Sequence, residues 1–102
     1  MEKLDGVISE NQYGKYFTPK SSQQRPAAQT INNGNIYEPN TIKFMMDNCG
    51  EGDIIHAGTY FGDFLPALSV GLSENAKVWA FEPNYENFRC AQITILLNGL
   101  DN

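Results

Sequence analysis

The chain has 102 residues with 7 Lys plus Arg against 12 Asp plus Glu, a formal net charge of -5. That length fits one small domain and leaves no space for separate cofactor and substrate domains, and the acidic balance argues against a general nucleic-acid phosphate binder. Two cysteines, Cys49 and Cys90, exclude a disulfide-dense scaffold and a four-cysteine zinc site within one chain.

The amino-terminal sequence opens with charge at Met1-Glu2-Lys3 and has no following apolar run of signal-peptide length. Nowhere do 18 consecutive apolar residues occur, so neither secretion nor membrane spanning is expected. Reduced thiols and a cytoplasmic location are the simplest expectation. Residues 11–40 are rich in Asn, Gln, Ser, Gly and Pro with scattered aromatic anchors at Tyr13, Tyr16, Phe17 and Tyr37. This composition predicts a polar arm or lid over residues 1–38, its aromatics either tethering it to the domain or covering a substrate.

Regular structure is expected from Asn40, a potential cap for a helix over 41–49 whose apolar face carries Ile42, Met45, Met46 and Cys49. Gly50 stops that helix, and Ile54-Ile55-His56-Ala57 reads as a short buried strand. A second helix spans 63–72, with Phe64, Leu65, Leu68 and Leu72 on one stripe and Pro66 in the first turn. Lys77 to Phe81 reads as a second strand. A last helix follows an Asn84 cap and runs to Leu97, with Phe88, Cys90, Ala91 and Ile95 turned inward and Asn98-Gly99 as its stop.

Strand, helix and strand in this order predict a right-handed parallel βαβ unit within an α/β domain over residues 39–102. Such a sheet needs more strands, and Asn102 falls just where a third would begin. An open edge invites cover by the amino-terminal arm, by an additional strand or by another chain, the last of which would make a homo-oligomer.

The most informative segment is His56-Ala57-Gly58-Thr59-Tyr60-Phe61-Gly62-Asp63, between the first strand and its helix. Glycines there let a ligand approach the main chain closely. Glu82, just beyond the second strand, can accept both hydroxyl protons of a ribose, and Pro83 holds it at the sheet rim. Asp63 either meets the positive end of the helix or touches a cofactor. Asn84 either caps its helix or neighbours a nucleoside. His56 has no second imidazole to share a metal, so no metal site is expected, and it stands open between a supporting role and cofactor contact. The lack of a complete Gly-x-Gly-x-x-Gly loop disfavours a Rossmann dehydrogenase.

From Gly52 to Asn102, roughly half the chain, the sequence resembles the amino-terminal half of an S-adenosylmethionine-dependent methyltransferase, closest to FkbM-like enzymes acting on hydroxyl oxygens of sugars and natural products. The family's Asp-x-Gly-Ala-Asn-x-Gly loop matches at His56, Gly58, Thr59, Tyr60 and Gly62. Its Phe-Glu-Pro-Asn and Asn-Gly-Leu segments match at Phe81 to Asn84 and at Asn98 to Leu100. The resemblance implies a partial Rossmann-like fold, S-adenosylmethionine as cofactor, and a small-molecule hydroxyl acceptor. It implies cofactor contacts at His56, Gly58, Thr59, Tyr60, Gly62, Asp63, Glu82 and Asn84. His56 stands where the family has a carboxylate, and Tyr60 where it has a small polar residue. No catalytic base is identified. The competing expectation is a noncatalytic module that oligomerises through its incomplete sheet.

Overall fold

A computed structural model describes residues 4–102, so the charged start Met1-Glu2-Lys3 lies outside the described residues. The amino-terminal segment is more regular than its composition suggests. Strands β1 (Gly6–Asn11) and β2 (Gly14–Pro19) form an antiparallel hairpin in which Asn11 faces Gly14. Val7, Ile8, Tyr16, Phe17 and Thr18 are β-branched or aromatic, residue types that suit a pleated, half-buried surface. A single 3-10 turn (Lys20–Ser22) leads to helix α1 (Pro26–Asn32), whose proline sits in the first turn where its missing N–H costs nothing. Ala27, Ala28 and Ile31 of this helix are buried, as is Tyr16.

Tyr16 thus belongs to the core, and Tyr13 and Phe17 are partly buried against it. These aromatics tether the segment to the domain. Burial raises the Tyr16 phenol to about 12, and proximity to Asp63 adds to the rise while a hydrogen bond with Asn11 opposes it.

Helix α2 (Pro39–Asn48) begins two residues earlier than expected and is not capped by Asn40. Pro39 carries the helical φ already, and the capping position falls on Glu38, whose backbone is left-handed at φ 51°. Ile42 is buried, and Met45, Met46 and Cys49 are half-buried on the same stripe. Strand β3 (Ile54–Ala57) has the expected bounds but is not the buried strand expected, because only Ile54 is buried in the core and Ile55 is exposed. Helix α3 (Leu65–Gly71) is shorter than the expected 63–72, because Gly62 to Phe64 form a turn closed by Leu65 N donating to Gly62 O at 3.1 Å. Strand β4 (Val78–Phe81) lies parallel to β3 in the register Ile54 to Val78 and Ala57 to Phe81. Helix α4 (Tyr85–Asn98) ends at Gly99, left-handed at φ 60°.

The result is a small mixed α/β domain with two two-stranded sheets and, among the described residues, four α-helices. Two apolar clusters hold it together. Tyr16, Ala27, Ala28, Ile31, Phe61 and Cys90 form one, while Ile42, Ile54, Phe64, Ala67 and Leu68 form the other. The loop between β3 and α3 supplies Phe61 to the first and Phe64 to the second, so it is fixed from both sides.

Helix α4 packs on β2 through Cys90, Ala91 and Thr94, small side chains that let the helix approach closely. Phe88, expected inward, is 42% exposed because it lies off this stripe. The Thr94 hydroxyl accepts from Phe17 N at 3.0 Å and donates to Phe61 O at 2.9 Å. One turn on, Asn98 accepts from Lys15 N at 2.7 Å and donates to Lys15 O at 2.6 Å. The outer edge of β2 is therefore satisfied by helix side chains where a third strand would otherwise pair. On the other sheet, Val78 N donates to Asn102 O at 2.7 Å, so the last residue lies along the edge of β4.

Thr94→Val keeps the shape but leaves Phe17 N and Phe61 O without this partner. It should lower stability in urea unfolding by about 2–4 kcal/mol, more than Thr94→Ser, which retains the hydroxyl. Equal stability of Thr94→Val and the unsubstituted chain would contradict this role.

Candidate functional site

The turn after β3 is shaped by three left-handed residues, Gly58 at φ 72°, Tyr60 at φ 57° and Gly62 at φ 86°. Gly58 and Gly62 differ in what they permit. A Cβ on Gly58 would meet nothing within 4 Å, so its backbone borders open space. A Cβ on Gly62 would press on Leu65, Thr94 and Ala91, so this glycine lets α4 close onto the loop. Tyr60 adopts a conformation uncommon for its residue type, and its ring packs against Phe61 with centroids 4.7 Å apart.

Glu82 holds the turn to the end of β4. Its Oε1 accepts from Tyr60 N at 2.8 Å, and its Oε2 accepts from Asn84 N at 3.0 Å. Phe81 O accepts from both Gly58 N, at 2.8 Å, and Thr59 N, at 3.0 Å. An ionised carboxylate has about four lone-pair positions, so two such bonds leave each Glu82 oxygen able to accept another. Asn84 Oδ1 accepts from Asn87 N at 3.0 Å and so caps α4.

Beside this junction lies a polar cavity of about 500 Å³. Gly58, Tyr60, Glu82 and Asn84 line it, and the first turn of α4 contributes Glu86 and Asn87. Ser21, Ser22 and Arg25 close it from the amino-terminal segment, and the Ser21 hydroxyl donates to Glu86. Ligand pockets commonly measure 300–1,000 Å³, so a nucleoside-sized molecule fits by volume. A more apolar groove of about 260 Å³ runs past Leu65, Val78, Ala80 and Ile95 beside β4, away from Glu82.

The expected contact residues divide into two groups. Gly58, Tyr60, Glu82 and Asn84 share the cavity wall, whereas His56, Thr59, Gly62 and Asp63 do not line it. His56 Nδ1 lies 2.7 Å from the hydroxyl of buried Thr59, and its ring stacks on Phe64 at 4.9 Å between centroids. Burial lowers the His56 pKa, which favours the neutral ring. Asp63 is 8% exposed, in the turn before α3. Burial raises its carboxyl to about 7; the backbone amides of Asp63 and Phe64 oppose this, and the carboxylates of Glu38 and Glu82 add to it. Among the described residues no three His, Cys, Asp or Glu side chains converge as metal ligands would.

Ser21, Ser22, Arg25, Glu86 and Asn87 were not expected from sequence. Glu86 and Asn87 could have been found, since they follow the Asn84 cap by one helical turn or less. Ser21, Ser22 and Arg25 carry no local signal, because a hairpin some 60 residues away in the chain brings them here.

Comparison of the chain with protein-family models, with curated proteins and with solved structures finds no match. No helix of the described residues is long and apolar enough to cross a membrane.

The Asp63 shift has a defined sign. A carboxyl whose folded pKa lies above its unfolded value of 3.8 favours the fold below that value and loses the contribution as pH rises through about 7. Relative to Asp63→Asn, the unsubstituted chain should lose on the order of 3 kcal/mol of stability between pH 4 and pH 8. Parallel stability curves for the two proteins across that range would refute a buried, protonated Asp63.

Proposed function

We propose that this chain is the cofactor-binding half of an S-adenosylmethionine-dependent methyltransferase of the FkbM-like kind, built on a partial Rossmann-like fold. The observation that carries the reading is the position of Glu82. It sits at the end of a strand parallel to β3, hydrogen-bonded to the glycine turn and lining a cavity of nucleoside size. A carboxylate there suits a ribose diol, and Gly58 leaves the main chain open to close approach.

When bound, S-adenosylmethionine supplies an electrophilic methyl group for transfer to a nucleophile, here a hydroxyl oxygen of a small-molecule acceptor. The residues of this chain bind and orient. Glu82 takes the ribose hydroxyls, the turn at Gly58 and Tyr60 sets the depth of the pocket, and Asn84 borders the base or sugar. His56, Thr59, Gly62 and Asp63, which do not line the cavity, keep the turn in shape. Neither His56 nor Asp63 lines the cavity, so this chain assigns no general base. Positioning is its contribution to the reaction.

Calorimetry with S-adenosylmethionine and S-adenosylhomocysteine tests the reading. Both should bind, and Glu82→Gln should weaken both by at least about tenfold, since an amide nitrogen cannot accept a ribose hydroxyl. Glu82→Gln retains one oxygen for Tyr60 N and so disturbs the turn less than Glu82→Ala. Absence of binding to a folded sample at millimolar ligand would defeat the proposal.

A second reading, a noncatalytic module that self-associates through its incomplete sheet, is favoured by a different observation. Ile55, Trp79 and Phe81 are 72%, 51% and 57% exposed on β3 and β4, with Ile55 and Trp79 directly paired. Light scattering would then give a dimer mass, twice 11.4 kDa, reduced to the monomer by Ile55→Lys. A monomer at the highest soluble concentration would remove this alternative.

A further inference from the structure

The dipeptide Asn-Gly occurs twice, at Asn33-Gly34 and at Asn98-Gly99. In such a pair the asparagine side chain can react with the next main-chain nitrogen, because glycine has no Cβ to shield that nitrogen or restrict its approach. Both glycines lie at the end of a helix with left-handed backbone, Gly34 at φ 80° and Gly99 at φ 60°. Local sequence treats the two alike, and the fold does not. Asn98 is held at both ends of its carboxamide. Its Oδ1 accepts from Lys15 N at 2.7 Å, and its Nδ2 donates to Lys15 O at 2.6 Å and to Thr94 O at 2.8 Å. Turning its Cγ toward Gly99 N breaks all three bonds and frees the edge of β2. Asn32 is locked in the same way, donating to Gln23 and accepting from the hydroxyls of Ser9 and Thr18. Its neighbour Asn33 is exposed, and among the described residues the Asn33 carboxamide has no hydrogen-bond partner. Only main-chain bonds restrain it. Gly34 N donates to Ile31 O at 2.9 Å and Asn35 N to Thr30 O at 3.0 Å, at the end of the seven-residue helix α1. Opening one terminal turn costs far less than releasing α4 from β2.

We propose that Asn33 is a site of spontaneous deamidation in the folded protein, and that its bonds to Lys15 and Thr94 protect Asn98. Gly34 N attacks Asn33 Cγ and forms a new N–Cγ bond. The bond from Cγ to Nδ2 breaks, and ammonia leaves with the proton of the Gly34 amide. Water then adds to either carbonyl of the five-membered imide and breaks one of its ring C–N bonds, which leaves aspartate or isoaspartate at position 33. The modification needs only water and is independent of any ligand. Either product adds a negative charge at the carboxyl end of α1, where the helix dipole disfavours it. Isoaspartate also lengthens the main chain in the link from α1 to α2.

The test is incubation of the full chain at mildly alkaline pH, with peptide mapping by tandem mass spectrometry at intervals. In the folded chain Asn33 should lose its amide at least about tenfold faster than Asn98, and in concentrated urea the two rates should agree within about threefold. Asn33→Gln should abolish the early acidic species seen by isoelectric focusing, since a side chain one methylene longer closes its ring much less readily. Circular dichroism checks that this variant is folded, and the exposure of Asn33 favours this. Equal rates at the two positions in the folded chain, or modification of Asn33 only in urea, would overturn the proposal. So would a tenfold difference that persists in urea, because the contrast would then not come from the fold, or an acidic species unchanged by Asn33→Gln.

Discussion

A single buried hydroxyl ties the two halves of this protein together. Thr94 Oγ1 accepts from Phe17 N on β2 and donates to Phe61 O in the glycine turn, from a position on α4 with no exposure to solvent. Three segments distant in sequence meet at one atom. A buried polar group that lost these bonds would cost free energy comparable to a whole hydrogen bond or more, so the arrangement is strongly specified. Asn98 repeats the device one turn later on Lys15, and together they let a helix serve as the neighbour of an edge strand.

The site follows from that constraint. With β2 fixed to α4, the chain leaving Pro19 must pass over the first turn of α4, where Ser21 meets Glu86 and Arg25 reaches the cavity wall. With Phe61 and Phe64 anchored in separate clusters, the turn between β3 and α3 has little freedom, and Glu82 sets its distance from β4. The cavity is bounded by rigid elements on the α/β side and by an anchored turn on the other. Preorganisation of this kind lowers the ordering cost of taking up a ligand.

Much of the carboxyl-terminal half was legible in the sequence. Ile54 to Ala57 is an apolar run bounded by turn residues, Val78 to Phe81 is aromatic and β-branched, and Asn84 and Gly99 mark the ends of α4 by their chemistry. The starts of α2 and α3 were misplaced for different reasons. Pro39 fixes its own backbone as the first residue of α2, ahead of the expected Asn40 cap, whereas Gly62 to Phe64 close a turn of their own before α3 begins at Leu65. The hairpin was hidden by polar composition. Its strands alternate only weakly, because β1 is largely exposed and β2 is buried by contacts with α1 and α4 that local sequence does not announce. Arg25 was hidden with it, while the place of Glu82 beside the glycine turn was legible because strand order and the turn are both local features.

The central claim is that a nucleoside lies between the turn at Gly58 and the carboxylate of Glu82. Amide chemical shifts measured while S-adenosylhomocysteine is added test it most directly, because Tyr60 N and Asn84 N are the two donors to that carboxylate. The account predicts saturable shifts at Gly58, Tyr60 and Asn84, with the amides of α2 unmoved. No shifts, or shifts centred on α2 or on the exposed face of Ile55 and Trp79, would contradict it.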